Sequence, residues 1–150
     1  MPGVVLFYGY PFEGKFQERP PSFEALLGRL DELREQYGPR LGIPYSVDLL
    51  RTEGAVPDDP TTVERLSVGL GDDDGWMLFW FPAEDAQAPL SAVGDESAEG
   101  SVVFWFGDWS LLSRKYLVPR SAALEAIRAW FEEGVLSDVV AWTDQLYAPE

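Results

Sequence analysis

The side chains that most often carry catalysis are missing from this chain. It contains no histidine and no cysteine, which excludes a thiolate nucleophile, a disulfide scaffold and the usual zinc ligands. A serine nucleophile would then need a lysine as its base, and neither Lys15 nor Lys115 has a suitable neighbouring motif. Gly69-Leu70-Gly71 lacks the third glycine, the lysine and the helix start of a phosphate loop. We therefore expect no catalytic residue, no cofactor and no enzyme activity.

Carboxylates are the one class of reactive side chain that the chain holds in excess, with 26 Asp and Glu against 11 Lys and Arg. Two carboxylates in a cleft could hydrolyse a glycoside, so a carboxylate-dependent hydrolase stays as an alternative, although chance pairs are certain among so many acids. Asp72-Asp73-Asp74 could form a calcium loop, but calcium loops alternate their ligands and end in a glutamate at a fixed spacing. The run here is contiguous and Glu84 falls at the wrong spacing, so we predict no metal site.

The acidic residues are concentrated between Arg51 and Arg114. This span holds thirteen acidic residues and one basic residue, Arg65, and supplies −12 of the net charge of −15. It also holds four of the six tryptophans, namely Trp76, Trp80, Trp105 and Trp109. Aromatic residues within a field of one sign usually indicate a partner of the opposite sign. Phosphate is repelled by a chain with a pI near 4.2, so we expect a cationic protein partner and neither nucleic acid nor a membrane.

Nine residues of this span are our candidate partner-binding residues: Asp72, Asp73, Asp74, Asp95, Glu96, Glu99, Trp105, Asp108 and Trp109. The two acidic groups, residues 72–74 and 95–99, could equally be solvated surface. Trp109 is predicted in a loop beside Asp108 and is the best candidate for a binding hot spot. Trp76, Trp80, Trp130 and Trp142 are predicted to be packing residues. Asp58 and Asp59 lie between prolines and are weaker candidates.

Hydrophobic periodicity predicts an α+β fold, with one domain over residues 1–150, two helices and a mostly antiparallel sheet of about six to seven strands. Ser22 is a suitable N-cap for a leucine-striped helix that ends at Gly38-Pro39. The second helix opens at Pro119 and ends at Gly134.

Alternating or continuous apolar runs predict strands at residues 4–8, 45–52, 65–70, 76–81, 90–93, 101–106 and 139–142, and residues 116–118 could form another short strand. Residues 13–21 are predicted to form a loop. Residues 65–70 and 76–81 are predicted to form a hairpin around the Asp72 turn. The runs at 76–81 and 101–106 are apolar on both faces, so both are expected at the centre of the sheet.

The second half of the chain carries a recognisable order of motifs. Trp80 ends an apolar strand, Leu90-Ser91-Ala92-Val93-Gly94 precedes an acidic turn, and Val103-Phe104-Trp105-Phe106 follows. Val118-Pro119 then opens a helix with an aromatic end, and Gly134 leads to Val139-Val140-Ala141-Trp142. In this order, residues 75–142 resemble the first family of immunity proteins of bacterial polymorphic toxin systems. The final twenty-five residues are the most specific part, although Leu136-Ser137 stands where the family usually has a proline.

The resemblance implies a cytoplasmic, non-enzymatic protein that binds a cognate toxin and occludes its active or substrate surface. The usual partner is a nucleic-acid-targeting toxin of the deaminase fold, which needs a basic surface for phosphates. An acidic face could occupy that surface. Charge alone leaves an alternative, an acidic nucleic-acid mimic that inhibits DNA-binding proteins. The N-terminus lacks the charged and apolar regions of a secretory signal, which also predicts a cytoplasmic location.

Overall fold

The computed structural model describes residues 3–10, 13–83 and 88–145. The strands are β1 Val4–Tyr10, β2 Gly14–Glu18, β3 Tyr45–Arg51, β4 Arg65–Leu70, β5 Met77–Phe81, β6 Leu90–Val93, β7 Ser101–Trp105, β8 Trp109–Ser113 and β9 Ala141–Thr143. The helices are α1 Phe23–Leu41 and α2 Arg120–Glu133. Seven strands form one sheet in the order β2-β1-β3-β4-β5-β6-β9, and β7 and β8 form a separate hairpin. Every neighbouring pair is antiparallel, which confirms the predicted α+β class.

The two helices cover one face of the large sheet, here called the inner face. The Ser22 hydroxyl accepts a hydrogen bond from the Ala25 amide at 3.1 Å and caps α1, as predicted. Gly134 ends α2 in the left-handed conformation at φ 71°. Because side chains alternate along a strand, every second residue of β1, β3 and β4 meets the helices. The resulting core includes Leu6, Leu26, Leu30, Val47, Leu49, Leu66, Val68, Ile127 and Trp130.

The predicted end of α1 at Gly38-Pro39 is wrong, because the helix continues to Leu41 and is capped by Gly42. Pro39 cannot donate a hydrogen bond to the carbonyl of Glu35. Glu35 is exposed, so its carbonyl can bond to water instead. The last turn is also held by packing, since Tyr37 is buried and Leu41 packs against the core.

The predicted loop at residues 13–21 contains the edge strand β2, which pairs with β1 along its whole length. Most of β2 is exposed, so it lacks the apolar alternation by which strands are recognised. The predicted strand at 116–118 is wrong as well. Residues Arg114–Tyr116 form a short 3-10 helix, and Val118 makes a single bridge with Trp76. The last strand begins at Ala141, two residues later than predicted.

One of the two apolar strands lies at the centre of the sheet and the other does not. β5 lies between β4 and β6, as expected, and forms the predicted hairpin with β4. β7 pairs only with β8, in a hairpin that packs on the other face of the large sheet, here called the outer face. Its apolar character on both faces therefore reflects burial of Phe104 on one side and partial burial of Val103 and Trp105 on the other. No helix among the described residues is long and apolar enough to cross a membrane.

Candidate partner-binding surface

The β7–β8 hairpin lies across one end of the large sheet and is held there by backbone hydrogen bonds. At its turn, the Trp105 amide donates to the carbonyl of Pro44, just before β3, at 2.9 Å. At its base, the amides of Gly94 and Asp95 donate to the carbonyl of Lys115 at 2.8 and 3.3 Å. The hairpin thus spans the sheet from the start of β3 to the end of β6.

The two faces of the hairpin differ in burial. Phe104 is buried and packs with Val102 and Leu112 against the outer face of the sheet. The opposite face carries Trp109 and Leu111, whose side chains are 63% and 71% exposed. These two residues, here called the tryptophan face, form an apolar surface that the described chain leaves open to solvent. Trp109 is the first residue of β8, so its predicted loop position is wrong although its exposure is as expected.

The candidate acids lie around this hairpin. The turn at residues 71–76 precedes β5 and the loop at 94–100 follows β6, and Phe79 pairs with Ser91 between them. The turn and the loop therefore leave the sheet at the same end. Asp108 lies in the hairpin turn, about 17 Å from the hairpin base, as expected for five residues at 3.4 Å each. The exposed acids, here called the rim carboxylates, are Asp72, Asp73, Asp74, Asp95, Glu96, Glu99 and Asp108.

Several acids elsewhere in the described chain form ion pairs, and the rim carboxylates do not. Glu18 bonds to Arg29 at 2.6 Å, Asp31 to Arg120 at 3.0 Å, and Glu64 lies 3.6 Å from Arg51. Within the described ranges, none of the seven rim carboxylates forms an ion pair. The seven carboxylates therefore form a local excess of negative charge, which Arg114 and Lys115 at the hairpin base offset only in part.

Two of the acidic turns are shaped by their own side chains. Asp72 accepts from the Asp74 amide at 3.0 Å, and Asp95 accepts from the Ser97 hydroxyl and amide at 2.6 and 2.9 Å. The Ser97 hydroxyl and then its amide lower the pKa of Asp95, which keeps this carboxylate charged. The described residues contain no cluster of acids arranged to hold a metal ion. These turns thus present charge to solvent.

The other tryptophans are packed or bonded. Trp76 and Trp130 are fully buried, and the Trp80 and Trp130 indoles both donate to Glu64 Oε2, at 2.7 and 2.8 Å. The Trp142 indole donates to the Ser137 carbonyl at 2.9 Å. These four tryptophans pack as predicted. Of the two candidates, Trp105 is half-buried against the core, so Trp109 presents the larger free surface.

Sequence reasoning did not anticipate a cleft of about 1020 Å³ between the hairpin and the outer face of the sheet. Seven of the eighteen residues that line it are aromatic, namely Phe7, Tyr8, Tyr10, Phe79, Phe81, Trp105 and Phe106. Its floor carries Asp48, which accepts from the Ser67 hydroxyl. This outer cleft opens beside β8, because Ser110 and Leu112 contribute to its wall.

The floor of the outer cleft holds charged groups in an apolar setting. Burial raises the pKa of Asp48, while the Ser67 hydrogen bond and the Arg65 charge act in the opposite direction. The Arg65 guanidinium lies 4.0 Å from the centre of the Phe81 ring. Its Nε is buried and has no hydrogen-bond partner among the described residues. The cleft floor therefore contains a donor that the described residues leave unsatisfied.

Leu111 and Arg65 are the binding candidates that the sequence analysis missed. Leu111 was overlooked because residues 109–113 were not recognised as a strand. The sequence Trp-Ser-Leu-Leu-Ser is too short for its pattern to be recognised as a strand distinct from the apolar run that precedes it. Arg65 appeared only as the single base of the acidic span. Its alternation with the buried Leu66 was the available signal that it belongs to the outer face.

Comparison with known proteins identifies the family of this chain. The model of the immunity protein Imm1 family matches residues 22–144, which include both helices, the hairpin and all the rim carboxylates. No curated protein matches the chain significantly. The matched region extends well beyond the closing motifs that first carried the resemblance. The chain therefore belongs to the Imm1 family of toxin-immunity proteins.

Proposed function

We propose that this immunity protein neutralises a nucleic-acid-targeting, deaminase-type toxin by covering its basic substrate surface. The observation that carries the proposal is the exposed tryptophan face, with unpaired rim carboxylates at both ends of its hairpin. A toxin that holds nucleic acid must present cationic groups for the phosphates. The rim carboxylates would meet these groups, and Trp109 would bind between them. The protein then acts by binding, in the cytoplasm, and performs no chemistry of its own.

Electrostatic steering supports the same function kinetically. An immunity protein must capture its toxin before the toxin damages the cell. Complementary charge can raise association rates to about 10⁸–10⁹ M⁻¹s⁻¹ at low salt, against about 10⁵–10⁶ M⁻¹s⁻¹ without it. The net charge of −15 and the excess of acids over bases around the hairpin suit this requirement. We expect an interface of roughly 1,600 Å² with an aromatic centre and an acidic rim.

Co-expression tests the proposed function directly. The toxin domain encoded immediately upstream of this gene should kill cells when expressed alone, and this protein should restore growth. In a pull-down, the purified protein should capture that same toxin domain. Failure to bind it would refute the proposal, whatever the growth result.

The salt dependence of binding distinguishes a nucleic-acid mimic from the proposed immunity function. A mimic of phosphate charge would bind several unrelated basic proteins, and high salt would release all of them. The apolar tryptophan face favours a single partner whose affinity survives salt. Binding to unrelated DNA-binding proteins as tightly as to the neighbouring toxin would establish the mimic instead.

A further inference from the structure

The outer face of the large sheet is only partly covered, because a two-stranded hairpin lies over a seven-stranded sheet. β7 packs closely, with Phe104 against Gly69 and the Trp105 amide bonded to Pro44. β8 borders the outer cleft through Ser110 and Leu112. The uncovered region therefore lies along β8, and β7 borders it only at Trp105.

The hydrogen-bond register shows where the backbone of β8 points. In an antiparallel pair, opposed residues either bond each other or turn their N–H and C=O groups outward. Trp105 lies opposite Trp109, and its amide bonds to Pro44 outside the hairpin. Trp105 and Trp109 are therefore a pair whose backbone groups point outward. Leu111 lies two residues further along β8, so its backbone groups point outward as well. The Arg114 amide bonds across the hairpin to the Gly100 carbonyl at 3.1 Å, which is the inward bond that this alternation requires three residues after Leu111.

The outward backbone groups of β8 are unpaired. Among the described residues, no backbone hydrogen bond outside the hairpin reaches the N–H or C=O of Trp109 or Leu111. Natural edge strands are usually protected by a lysine, a proline or a bulge. β8 contains none of these, and its sequence is Trp-Ser-Leu-Leu-Ser. Such an edge is a template for another strand.

We propose that an extended strand of the cognate toxin adds to the free edge of β8 and covers the outer cleft. The hairpin would become a three-stranded sheet, and every second side chain of the added strand would enter the cleft. Backbone bonding would supply affinity and the side chains in the cleft would supply specificity, as in other cases of strand addition. This inference rests on the proposed function and specifies how the toxin is held.

The chemistry of the added strand follows from its surroundings. Most side chains that enter the cleft would be apolar, because seven of its eighteen lining residues are aromatic and three are charged. Arg65 also lines the cleft, and a polar side chain or a backbone carbonyl of the added strand would offer its guanidinium an acceptor. Asp108 precedes β8, and Glu99 lies beside the end of β8 at the hairpin base. Arg114 and Lys115 directly follow β8 at that base, so only the Asp108 end is acidic without adjacent bases. The strand should therefore carry a basic residue at the end that meets Asp108.

Hydrogen exchange measured by NMR tests the added strand. The samples are the free protein and its complex with a catalytically inactive form of the toxin domain encoded upstream. The amides of Trp109 and Leu111 should exchange at least tenfold more slowly in the complex. The amides of Ser110 and Leu112 already face β7 and should change much less. A complex that forms without slowing exchange at Trp109 and Leu111 would overturn the inference while leaving the proposed function intact.

Two substitutions at one position give a second test. Leu111→Thr removes the apolar side chain but keeps the amide, whereas Leu111→Pro also removes the outward donor. The hairpin does not use that donor, so an outward position should tolerate proline. We expect Leu111→Pro to weaken toxin binding at least tenfold more than Leu111→Thr. Equal affinities for two folded variants would overturn the inference.

Two further outcomes are informative. If the unaltered protein does not bind the toxin at all, the proposed function itself fails. If the free protein protects the Trp109 and Leu111 amides by dimerising, which sedimentation at several concentrations would reveal, the edge belongs to a second copy of this chain. That outcome would overturn strand addition by the toxin.

Discussion

The Phe104 ring lies against the backbone of Gly69, so close that a β-carbon on Gly69 would be 2.7 Å from the ring. Phe104 is buried, and Phe106 approaches the same position to 3.1 Å. The hairpin can approach the sheet this closely only because β4 has no side chain there. Gly69 therefore sets the position of the tryptophan face and the depth of the outer cleft.

Replacing Gly69 with alanine should destabilise the docked hairpin. The new methyl group would meet the edges of two packed rings, and overpacking of this kind costs about 1–3 kcal/mol. We expect a loss of that size in the free energy of unfolding, measured by urea denaturation. Gly28 provides a control, because it lies in α1 and a β-carbon there would meet nothing within 4 Å. Gly28→Ala should stabilise the protein by about 0.5–1 kcal/mol. Equal effects of the two substitutions would contradict this account of the packing.

Glu64 should be a stabilising residue although it belongs to the acidic span. One of its oxygens accepts from both Trp80 and Trp130. Glu64→Ala would leave two indole N–H groups without an acceptor, at a cost of about 2–4 kcal/mol in the free energy of unfolding. Glu64→Gln keeps one oxygen as an acceptor and should cost less. If Glu64→Ala unfolded at the same urea concentration as the unaltered protein, these hydrogen bonds would contribute nothing to the free energy of unfolding.

Asp48 should make the protein less stable as the pH rises. Its pKa in the folded state is raised above the ordinary value of 3.8, mainly by burial. The folded state therefore binds this proton more tightly than the unfolded state, and its stabilising effect is lost as the pH rises from 3.8 through the folded pKa. Asp48→Asn stays neutral and can still accept from Ser67. We expect the variant to be more stable at pH 7, by about 1.4 kcal/mol for each unit by which the pKa is raised.

Urea denaturation of both proteins between pH 3 and pH 8 provides the measurement. The difference in stability between Asp48→Asn and the unaltered protein should be smallest at the acid end. A difference that does not vary with pH would show that Asp48 does not titrate in this range. Other carboxylates contribute equally to both proteins, so their effects cancel in the comparison.

The elements that could be predicted were those with a complete local pattern. The capped, leucine-striped α1 and the alternating β4 are examples, since burial on one face leaves a clear period in the sequence. β2 was missed because an exposed edge strand has no apolar period. The extent of α1 beyond Pro39 was missed because the packing of Tyr37 and Leu41 outweighs the proline, and that packing is tertiary.

The candidate surface was predictable in composition but not in arrangement. Charge counting found the rim carboxylates, and the position of Trp109 beside Asp108 suggested its exposure. Glu64 was counted with the other acids, yet it lies beneath two tryptophans. The outer cleft exists because β7 pairs with β8 outside the large sheet and packs on it through the contact between Phe104 and Gly69. Residues 35 positions apart meet there, and no local pattern indicates it.

Trp109 should contribute more to toxin binding than any exposed acid remote from the hairpin. Its side chain is 63% exposed, so Trp109→Ala should leave the free energy of unfolding within about 0.5 kcal/mol of the original. Loss of a central aromatic contact typically costs 2 kcal/mol or more in binding, about thirtyfold in Kd. Asp58→Ala changes an exposed acid in a different loop and should change Kd less than threefold. Equal small effects, measured by calorimetry, would mean that the contact face lies elsewhere.

The rim carboxylates should act mainly on the rate of association. Neutralising one acidic loop, as in Asp95→Asn with Glu96→Gln and Glu99→Gln, removes charge without removing the apolar contact. We expect slower association with the toxin at low salt, a weaker dependence of that rate on salt, and a nearly unchanged dissociation rate. Trp109→Ala should show the reverse, a faster dissociation rate with little change in association. Surface plasmon resonance at several salt concentrations measures both rates for each variant. If the acidic triple variant instead dissociated faster at high salt, where screening removes long-range attraction, these acids would be direct contacts within the complex.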